Sequence, residues 1–244
     1  MLVAHLSDLH LDPARPETLD RARRVVDHVR ALDPRPDLNL ASGDITDHGT
    51  DEEYAHAAEL FAGLDVRMLP GNHDRRPAMR TMLGLPRTDE PITSIHPIGA
   101  VTLVLADSHV PDHDHGELAP ESRDAIAEAA ARPGVLVVAL HHPPMPIGSR
   151  LLDPIRLLDP EPLLGPLRGR GHPSVVLCGH AHTPLATTVD GIPVRIAPGV
   201  VSTLRLPCEP QPDTADRGAP PGFALHVLDE RTGDLATHVR TLAT

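Results

Sequence analysis

Five short apolar runs, each followed at once by polar residues, set the pattern of this chain. The runs are rich in branched side chains, which is typical of strands buried on both faces of a sheet. Because sites in open α/β sheets lie beyond the carboxyl ends of the strands, we expect the polar residues after the runs to lie close together. The predicted strands are Leu2–Leu6, Leu38–Ala41, Val66–Leu69, Val135–Leu140 and Val175–Cys178.

The segments between these strands carry helical patterns. Over Thr18–Leu32 the apolar residues fall on one stripe, as on a helix that packs against a core. A second helix, Thr50–Gly63, opens with a capping box formed by Thr50 and Glu53. Further helical segments are predicted at Pro77–Leu83, Pro120–Ala131 and Pro162–Arg168.

The remaining strands are predicted as hairpins, and the proline-rich stretch Pro207–Pro221 as a loop. We expect one α/β domain over residues 1–244, with two packed sheets flanked by helices. Polar motifs occupy residues 2–202 of it, and a last hairpin covers about residues 223–240. The predicted strand pairs are Ile92–His96 with Val101–Asp107, Leu185–Val189 with Ile192–Ala197, and Phe223–Asp229 with Leu235–Arg240.

Composition limits the binding partners and the cellular location that we expect for this protein. The formal net charge is −12 and no basic run occurs, which argues against a nucleic-acid partner. With one tyrosine, two phenylalanines and no tryptophan, stacking on bases is not expected to drive recognition. No window approaches the ~20 apolar residues of a membrane helix, and a strand that starts at Leu2 leaves no room for a signal peptide. We therefore expect a cytoplasmic protein with no membrane partner.

The polar residues after the runs are of the types that bind metal ions. They offer carboxylate, amide and imidazole groups without a thiolate, a set that suits Mn²⁺, Fe or Zn²⁺. Seven ligands are too many for one ion with an open position, so two divalent or trivalent transition-metal ions ~3.5–4 Å apart fit better. The candidates are Asp8, His10, Asp44, Asn72, His141, His180 and His182.

Such a metal pair has a defined chemistry. It lowers the pKa of a trapped water toward neutrality and stabilises both the entering and the leaving oxygens at phosphorus. His73, next to Asn72, is left without a metal and is free to act as an acid or to hold a phosphoryl oxygen.

In this order, the motifs resemble those of the calcineurin-like metallophosphoesterases. They are D-x-H at Asp8 and His10, G-D-x-x-D at Gly43–Asp47, G-N-H-D at Gly71–Asp74, the histidine at 141, and G-H-x-H at Gly179–His182. The resemblance runs from Leu2 to about Ser202 and implies a four-layer αββα sandwich with a dinuclear metal site.

The resemblance also implies roles for single residues. His73 looks like the family's catalytic histidine, and Asp74 is expected to be catalytic through orienting it. Asp44 is expected to bridge the two ions. One ion would bind Asp8, His10, Asp44 and His182, and the other Asp44, Asn72, His141 and His180.

Details of the motifs look like one branch of the family. Serine/threonine protein phosphatases carry Arg and Glu where this chain has His48 and Asp74, which weakens a phosphatase assignment. The stretches Thr46–Tyr54 and His141–Pro144 look like those of bacterial class III cyclic-nucleotide phosphodiesterases, and also of glycerophosphodiesterases. The implied function is hydrolysis of a small phosphodiester, foremost a 3′,5′-cyclic nucleotide (cAMP or cGMP), by a hydroxide that bridges the metals.

Three alternatives stay open. A glycerophosphodiester or broad-specificity phosphodiesterase would use the same chemistry, while a nuclease is disfavoured by the charge and the lack of a second domain. A non-catalytic interaction scaffold on this fold would predict eroded ligands, and none of the seven is replaced. The expected partner is a small-molecule phosphodiester, and a homodimer is left open.

Other polar residues receive structural interpretations. His142 is interpreted as a structural neighbour of His141, and Asp47 as a turn residue or a support for a ligand. His5 points from the first strand and is expected in the core or an interface. The loop His109–Gly116 is interpreted either as solvated or as a lid that contacts substrate.

Overall fold

The computed structural model describes residues 1–209 and 214–243. Its helices are α1 Pro16–Arg30, α2 Asp51–Phe61, α3 Arg76–Met82, α4 Pro120–Ala130 and α5 Glu161–Leu167. Its strands are β1 Leu2–Leu6, β2 Leu38–Ala41, β3 Val66–Met68, β4 Ser94–Ile98, β5 Val101–Leu105, β6 Val135–Ala139, β7 Ser174–Cys178, β8 Leu185–Val189, β9 Ile192–Ile196, β10 Thr203–Leu204, β11 Ala215–Asp216, β12 Gly222–Leu228 and β13 Leu235–Thr241. In these ranges, no helix has both the length and the apolar character needed to cross a membrane.

Apart from the short pair β10–β11, the strands form two mixed sheets. Their orders are β13-β12-β1-β2-β3 and β4-β5-β6-β7-β9-β8. Within them, β1, β2 and β3 run parallel, as do β5, β6, β7 and β9. The carboxyl ends of these parallel strands therefore lie along one edge of each sheet. A parallel bridge from Ser7 to Gly199 joins the two sheets at that edge.

Three apolar clusters stack these elements into four layers. The inner faces of the two sheets pack on each other through residues such as Val3, Leu40, Leu103, Val137 and Leu177. The outer face of the first sheet packs against α1, α2 and α3, and that of the second against α4 and α5. The predicted four-layer αββα sandwich is confirmed.

Local sequence explains where the first two helices begin. α1 starts at Pro16, two residues before the predicted start, because proline suits a first turn whose N–H has no partner. α2 has the predicted capping box. The Glu53 N–H donates to Thr50 Oγ1 (3.2 Å), and the Thr50 N–H donates to Glu53 Oε2 (2.9 Å).

The first strand of the second sheet differs from its prediction. It was expected at Ile92–His96 but lies two residues later, as β4. The Ile92 N–H donates to Asp107 Oδ2 (2.8 Å) and is therefore not available to the sheet. Pro97 fits within β4 because β4 is an edge strand, where a missing N–H faces no partner strand.

The loop predicted at Pro207–Pro221 is partly wrong. Residues Ala215 and Asp216 form β11, which pairs antiparallel with β10. Residues 210–213 of this loop lie outside the described residues. Proline content predicted the irregular described residues beside β11, but not a two-residue ladder between Thr203–Leu204 and Ala215–Asp216.

A buried ion pair ties α3 to the end of β5. Arg76 Nε donates to Asp107 Oδ2 (2.8 Å), and Arg76 Nη2 donates to Asp107 Oδ1 (3.1 Å). The same Nη2 donates to the His109 carbonyl oxygen (2.6 Å). Since α3 directly follows the turn that carries His73, this pair fixes that turn against the second sheet.

Replacing Arg76 by methionine should lower the free energy of unfolding by about 3–5 kcal/mol, because it leaves the buried Asp107 carboxylate without its counter-charge. The control is Arg87→Met, which breaks an exposed pair with Asp51 and should leave the free energy of unfolding nearly unchanged. Urea unfolding followed by circular dichroism measures both losses. Equal losses in the two variants would contradict a structural role for the buried pair.

Candidate metal centre

All seven candidate ligands come together at the edge where the two sheets join. Six of them are buried, and Asn72 is half-buried. The five predicted strand ends thus supply a single cluster, as the polar endings of the apolar runs indicated. The residues follow β1 (Asp8, His10), β2 (Asp44), β3 (Asn72), β6 (His141) and β7 (His180, His182).

A first group consists of Asp8, His10, Asp44 and His182, whose ligand atoms all lie within 4.8 Å of one another. His10 Nε2 lies 3.4 Å from Asp44 Oδ2 and 3.2 Å from His182 Nε2. His182 Nε2 lies 3.5 Å from Asp8 Oδ1. Atoms bound to one ion at ~2.0–2.2 Å are themselves about 3–3.5 Å apart, so this spacing leaves room for an ion.

A second group lies on the other side of Asp44. His141 Nε2 is 3.3 Å from Asp44 Oδ2 and 3.2 Å from Asn72 Oδ1. His180 Nδ1 is 3.0 Å from the same Asn72 oxygen. The Asp44 Oδ2 atom therefore lies close to imidazole nitrogens of both groups, which is the position a bridging carboxylate would take.

Outer hydrogen bonds fix which nitrogen of two rings faces the cluster. His10 Nδ1 donates to Asp47 Oδ1 (2.8 Å), and His141 Nδ1 donates to the Ser42 carbonyl oxygen (2.8 Å). A carbonyl or an ionised carboxylate only accepts, so each Nδ1 carries a proton and each Nε2 is the nitrogen that faces inward as a candidate ligand atom. Asp47 is thus the support for a ligand that its motif position indicated.

The two histidines after β7 are held by other partners. His182 Nδ1 pairs with Ser202 Oγ (2.9 Å), and the His180 N–H donates to Asp8 Oδ1 (3.1 Å). No sequence motif marks Ser202 or Ser42. Only the fold shows that they support ligands, because both are distant in sequence from the rings that they contact.

The charges of the cluster place a positive charge at its centre. Burial would raise the pKa of Asp44, but His141 and His10 hold it well below its ordinary value. Burial would lower the pKa of His141, but Asp44 and Asp8 raise it to about 9. Burial raises the pKa of Asp8 to about 6. The buried carboxylates thus draw positive charge to the position that a metal ion would take.

The donor set fits a pair of metal ions. Within the described residues, Asp8 Oδ2 is buried without a hydrogen-bond partner, which is unfavourable for a carboxylate oxygen unless a cation binds it. The inward Nε2 atoms of His10 and His141 lie beside carboxylate and amide oxygens, an arrangement that needs a proton or a metal cation between the nitrogen and the oxygen. Oxygen and imidazole donors suit Mn²⁺, Fe or Zn²⁺.

The cluster is built on strained backbone. Non-glycine residues seldom adopt left-handed angles, and those that do concentrate at functional sites where the surroundings hold them. Close loop packing is one such restraint, since a Cβ atom on Gly179 would lie 1.8 Å from Ser7 Oγ. The angle φ is 56° at Asp8, 45° at His10, 48° at Asp44, 69° at His180 and 51° at His182.

His73 lies at the rim of the cluster with 41% of its side chain exposed. Its backbone N–H donates to Asp44 Oδ1 (2.9 Å), and its ring packs edge-on against His10 with centroids 4.5 Å apart. His73 Nδ1 donates to the Asp47 carbonyl oxygen (2.9 Å). The proton is thereby fixed on Nδ1, and Nε2 is the atom left to face a substrate.

The predicted role of Asp74 as the partner that orients His73 is wrong. Within the described residues, no hydrogen bond joins the Asp74 carboxylate to His73. The carboxylate instead lies buried between the two loops that carry Asp44 and Asn72, where it accepts five hydrogen bonds. The donors are the Ile45 N–H, the Thr46 N–H and Oγ1, the Tyr54 hydroxyl and the Gly71 N–H.

The other interpreted histidines are not among the seven candidate ligands, although His142 has a ring nitrogen within 4.8 Å of ligand atoms of His141 and His180. His5 is 0% exposed and belongs to the core, as expected. His142 is buried, and its ring nitrogens pair with Ser108 Oγ (2.8 Å) and the Asp114 carbonyl oxygen (3.1 Å), so it is a structural neighbour. The second of these contacts holds the loop His109–Gly116 against the flank of the site. Its role as a lid stays a prediction.

Sequence comparison finds a matching family model and several named proteins of similar sequence. A family model described as calcineurin-like phosphoesterase matches residues 1–184. A probable cyclic nucleotide phosphodiesterase of Rhodococcus erythropolis is 32% identical over 93% of this chain and 80% of that protein. The 3′,5′-cyclic adenosine monophosphate phosphodiesterase CpdA of Pseudomonas aeruginosa is 35% identical over 75% of this chain and 70% of that protein. A probable glycerophosphodiester phosphodiesterase, GpdQ, of Arcobacter nitrofigilis is 27% identical over 98% and 92%, respectively.

A solved structure shares the fold across nearly the whole chain. It is a dimetal phosphatase from Danio rerio, with a TM-score of 0.71 over 99% of this chain and 96% of that chain. At 14% sequence identity, this likeness concerns the fold alone. Since the family model matches most of the sequence, including all seven candidate ligands, the chain belongs to the calcineurin-like phosphoesterase family.

Proposed function

We propose that this protein is a metal-dependent hydrolase of small phosphodiesters and that it acts on 3′,5′-cyclic nucleotides. The observation that carries the proposal is the convergence of two ligand groups on Asp44 Oδ2, beside the exposed ring of His73. The names of the Rhodococcus and Pseudomonas relatives support cyclic nucleotides. A glycerophosphodiester is the second candidate, and the name of the Arcobacter relative supports it.

Each part of the cluster has a role in this proposal. When bound, the two ions would supply an activated water and stabilise the oxygens around phosphorus. Asp47 and the Ser42 carbonyl keep two imidazole lone pairs directed at the ions. Asp44 would contribute to both ions. The first would also be held by Asp8, His10 and His182, and the second by Asn72, His141 and His180.

His73 handles a proton at one atom. Its Nδ1–H stays hydrogen-bonded to the Asp47 carbonyl oxygen, so any proton exchange with the substrate takes place at Nε2. A ring protonated at Nε2 donates that proton to the leaving alkoxide oxygen as the P–O bond breaks. The exposed position of His73 then lets solvent return the proton.

Charges at the rim favour a diester over a monoester. A monoester dianion carries one more negative charge and gains more from cationic clamps. Two basic side chains at this rim already have acidic partners. Arg75 Nη1 lies 3.6 Å from Asp112 Oδ1, and His48 Nδ1 lies 2.8 Å from Glu53 Oε1.

The organic part of the substrate is recognised without tyrosine, phenylalanine or tryptophan side chains. The only tyrosine and both phenylalanines, Tyr54, Phe61 and Phe223, are buried, and the chain has no tryptophan. These residue types therefore offer neither a stacking surface for a nucleobase nor an aromatic cage around a choline group. Hydrogen bonds and aliphatic contacts are left to separate the two candidate substrates.

With Mn²⁺ loaded, kcat/KM should be higher for bis(p-nitrophenyl) phosphate than for p-nitrophenyl phosphate, because a singly charged diester gains more from two metals plus an acid. Turnover of 3′,5′-cyclic AMP, followed by chromatography of AMP, should be measurable. A clear preference for the monoester with no cyclic-nucleotide turnover would refute the proposal. If the protein hydrolyses glycerophosphocholine but not cyclic AMP, the proposed substrate becomes a glycerophosphodiester, the second candidate.

A non-catalytic scaffold is the alternative from another class. The presence of all seven candidate ligands in one cluster counts against it, since a scaffold needs none of them. The cytoplasmic location and the single domain over residues 1–244 stay predictions.

A further inference from the structure

A row of four polar side chains crosses the inner face of the first sheet. It begins on the edge strand β13 at Thr237, whose Oγ1 lies 2.9 Å from His226 Nδ1 on β12. His226 Nε2 lies 3.1 Å from His5 Nδ1 on β1. His5 Nε2 lies 2.8 Å from Ser42 Oγ, just after β2. Three side-chain hydrogen bonds thus span four adjacent strands.

This row lies in an otherwise apolar layer. Val3, Leu40 and Leu228 share that face and belong to the core between the two sheets. Burying two imidazoles there is unfavourable unless their nitrogens are bonded, and all four nitrogens have partners. For every ring nitrogen to make its hydrogen bond, all donors along the row must point toward the same end of it.

Both imidazoles are neutral at ordinary pH. Burial and the neighbouring His226 hold the pKa of His5 well below its ordinary value. Burial and Arg195 lower the pKa of His226 to about 3. A neutral imidazole has one N–H donor and one lone pair, which is what a side chain with two partners in a row needs.

The row ends at a residue that contacts the metal centre. The Ser42 carbonyl oxygen accepts the hydrogen bond from His141 Nδ1 (2.8 Å), and Asp44 follows two residues later in the chain. The backbone between Ser42 and Asp44 packs closely against His141, because a Cβ atom on Gly43 would lie 2.5 Å from His141 Nδ1. A shift of Ser42 would therefore displace both Asp44 and His141.

We propose that His5 is a positioning residue of the metal centre. By holding the Ser42 hydroxyl, it fixes the backbone that carries Asp44 and the carbonyl oxygen that sets the tautomer of His141. The side chain of His5 touches neither metal nor substrate, and it acts only through Ser42. This inference rests on the metal-binding part of the proposed function and is independent of which diester is hydrolysed.

Two variants of His5 separate positioning from core packing. A glutamine amide reaches as far as Nε2 and keeps the contact with Ser42, whereas an asparagine amide reaches only as far as Nδ1 and keeps the contact with His226. Each variant loses one buried hydrogen bond, so their metal-free forms should unfold at similar temperatures. Mn²⁺ affinity, measured on metal-free protein by the electron paramagnetic resonance of free Mn²⁺, should fall about 10–100-fold in His5→Asn. It should stay near the wild-type value in His5→Gln.

A third variant, Ser42→Ala, removes the hydroxyl, keeps the carbonyl oxygen and adds no volume, so it is the gentlest test. It should lose Mn²⁺ affinity as His5→Asn does. Wild-type affinity in Ser42→Ala or in His5→Asn would overturn the proposal. Equal losses in His5→Asn and His5→Gln would also overturn it, because core packing alone would then account for them.

The wild-type protein distinguishes this inference from the proposed function. If it binds Mn²⁺ but hydrolyses no diester, the proposed substrate chemistry fails and the comparison of the His5 variants still stands. If it binds no Mn²⁺, the metal centre fails, and the role of His5 is overturned with it.

Discussion

Replacing Asp44 by alanine should abolish phosphodiester hydrolysis while leaving the protein folded. Its Oδ2 atom lies 3.4 Å from His10 Nε2 and 3.3 Å from His141 Nε2, so it serves both ligand groups. Without the carboxylate, the two ions lose their shared negative charge and are no longer held together. Bound Mn²⁺, measured by elemental analysis, should fall from about two ions per chain to below one.

The fold should survive this change because His10 and His141, unlike an arginine, can lose a proton and become neutral once the carboxylate beside them is removed. Thermal unfolding of the metal-free proteins checks this point. The matched control is Asp20→Ala, which removes an exposed carboxylate on α1 with 69% of its side chain accessible. It should keep both ions and full activity. Hydrolysis by Asp44→Ala at the rate of this control would contradict the bridging role.

Replacing His73 by alanine should lower kcat by about 10²–10⁴-fold, the usual contribution of acid–base help, while metal content stays unchanged. The ring offers Nε2 to the substrate and contributes no atom to the two ligand groups. The link from this residue to Asp44 is its backbone N–H, which alanine keeps. Steady-state kinetics and elemental analysis of the same preparation measure both quantities.

His56→Ala is the control for this variant, since it removes a partly exposed imidazole from α2, away from the cluster. It should leave both kcat and metal content at the wild-type values. If His73→Ala instead loses the ions and regains activity when Mn²⁺ is added back, His73 binds metal and the predicted acid–base role is contradicted.

The apolar runs predicted the architecture because strands buried on both faces must read as continuous apolar segments. That is true of β6 and β7, whose residues are all buried. The same reasoning placed Asp44 and His141 at one edge, because parallel strands end on one side of their sheet. At an exposed edge the pattern was weaker, and β4 was misplaced by two residues.

Features that depend on contacts between distant segments were not predictable. The left-handed backbone at His180 and His182 is held by packing between loops, which no local propensity encodes. Asp74 follows His73 in sequence, yet its carboxylate accepts hydrogen bonds from the Ile45 and Gly71 N–H groups and so joins the two loops that carry Asp44 and Asn72. Ser202 supports His182 from 20 residues away in sequence.

The row from Thr237 to Ser42 shows the same limit. A histidine within an apolar run is compatible with the core, and His5 was expected there. Its partner His226 lies 221 residues away in sequence, on a strand whose pairing with β1 only the fold establishes. The sequence therefore indicated that His5 is buried, but gave no reason for a histidine at that position.

The central claim is that two metal ions share the Asp44 carboxylate and act together. Metal-free protein titrated with Mn²⁺, with bound metal and hydrolysis of bis(p-nitrophenyl) phosphate measured on the same samples, tests it most directly. We predict that hydrolysis rises until about two ions per chain are bound and then stays constant. Saturation at one ion per chain with full activity would contradict the claim.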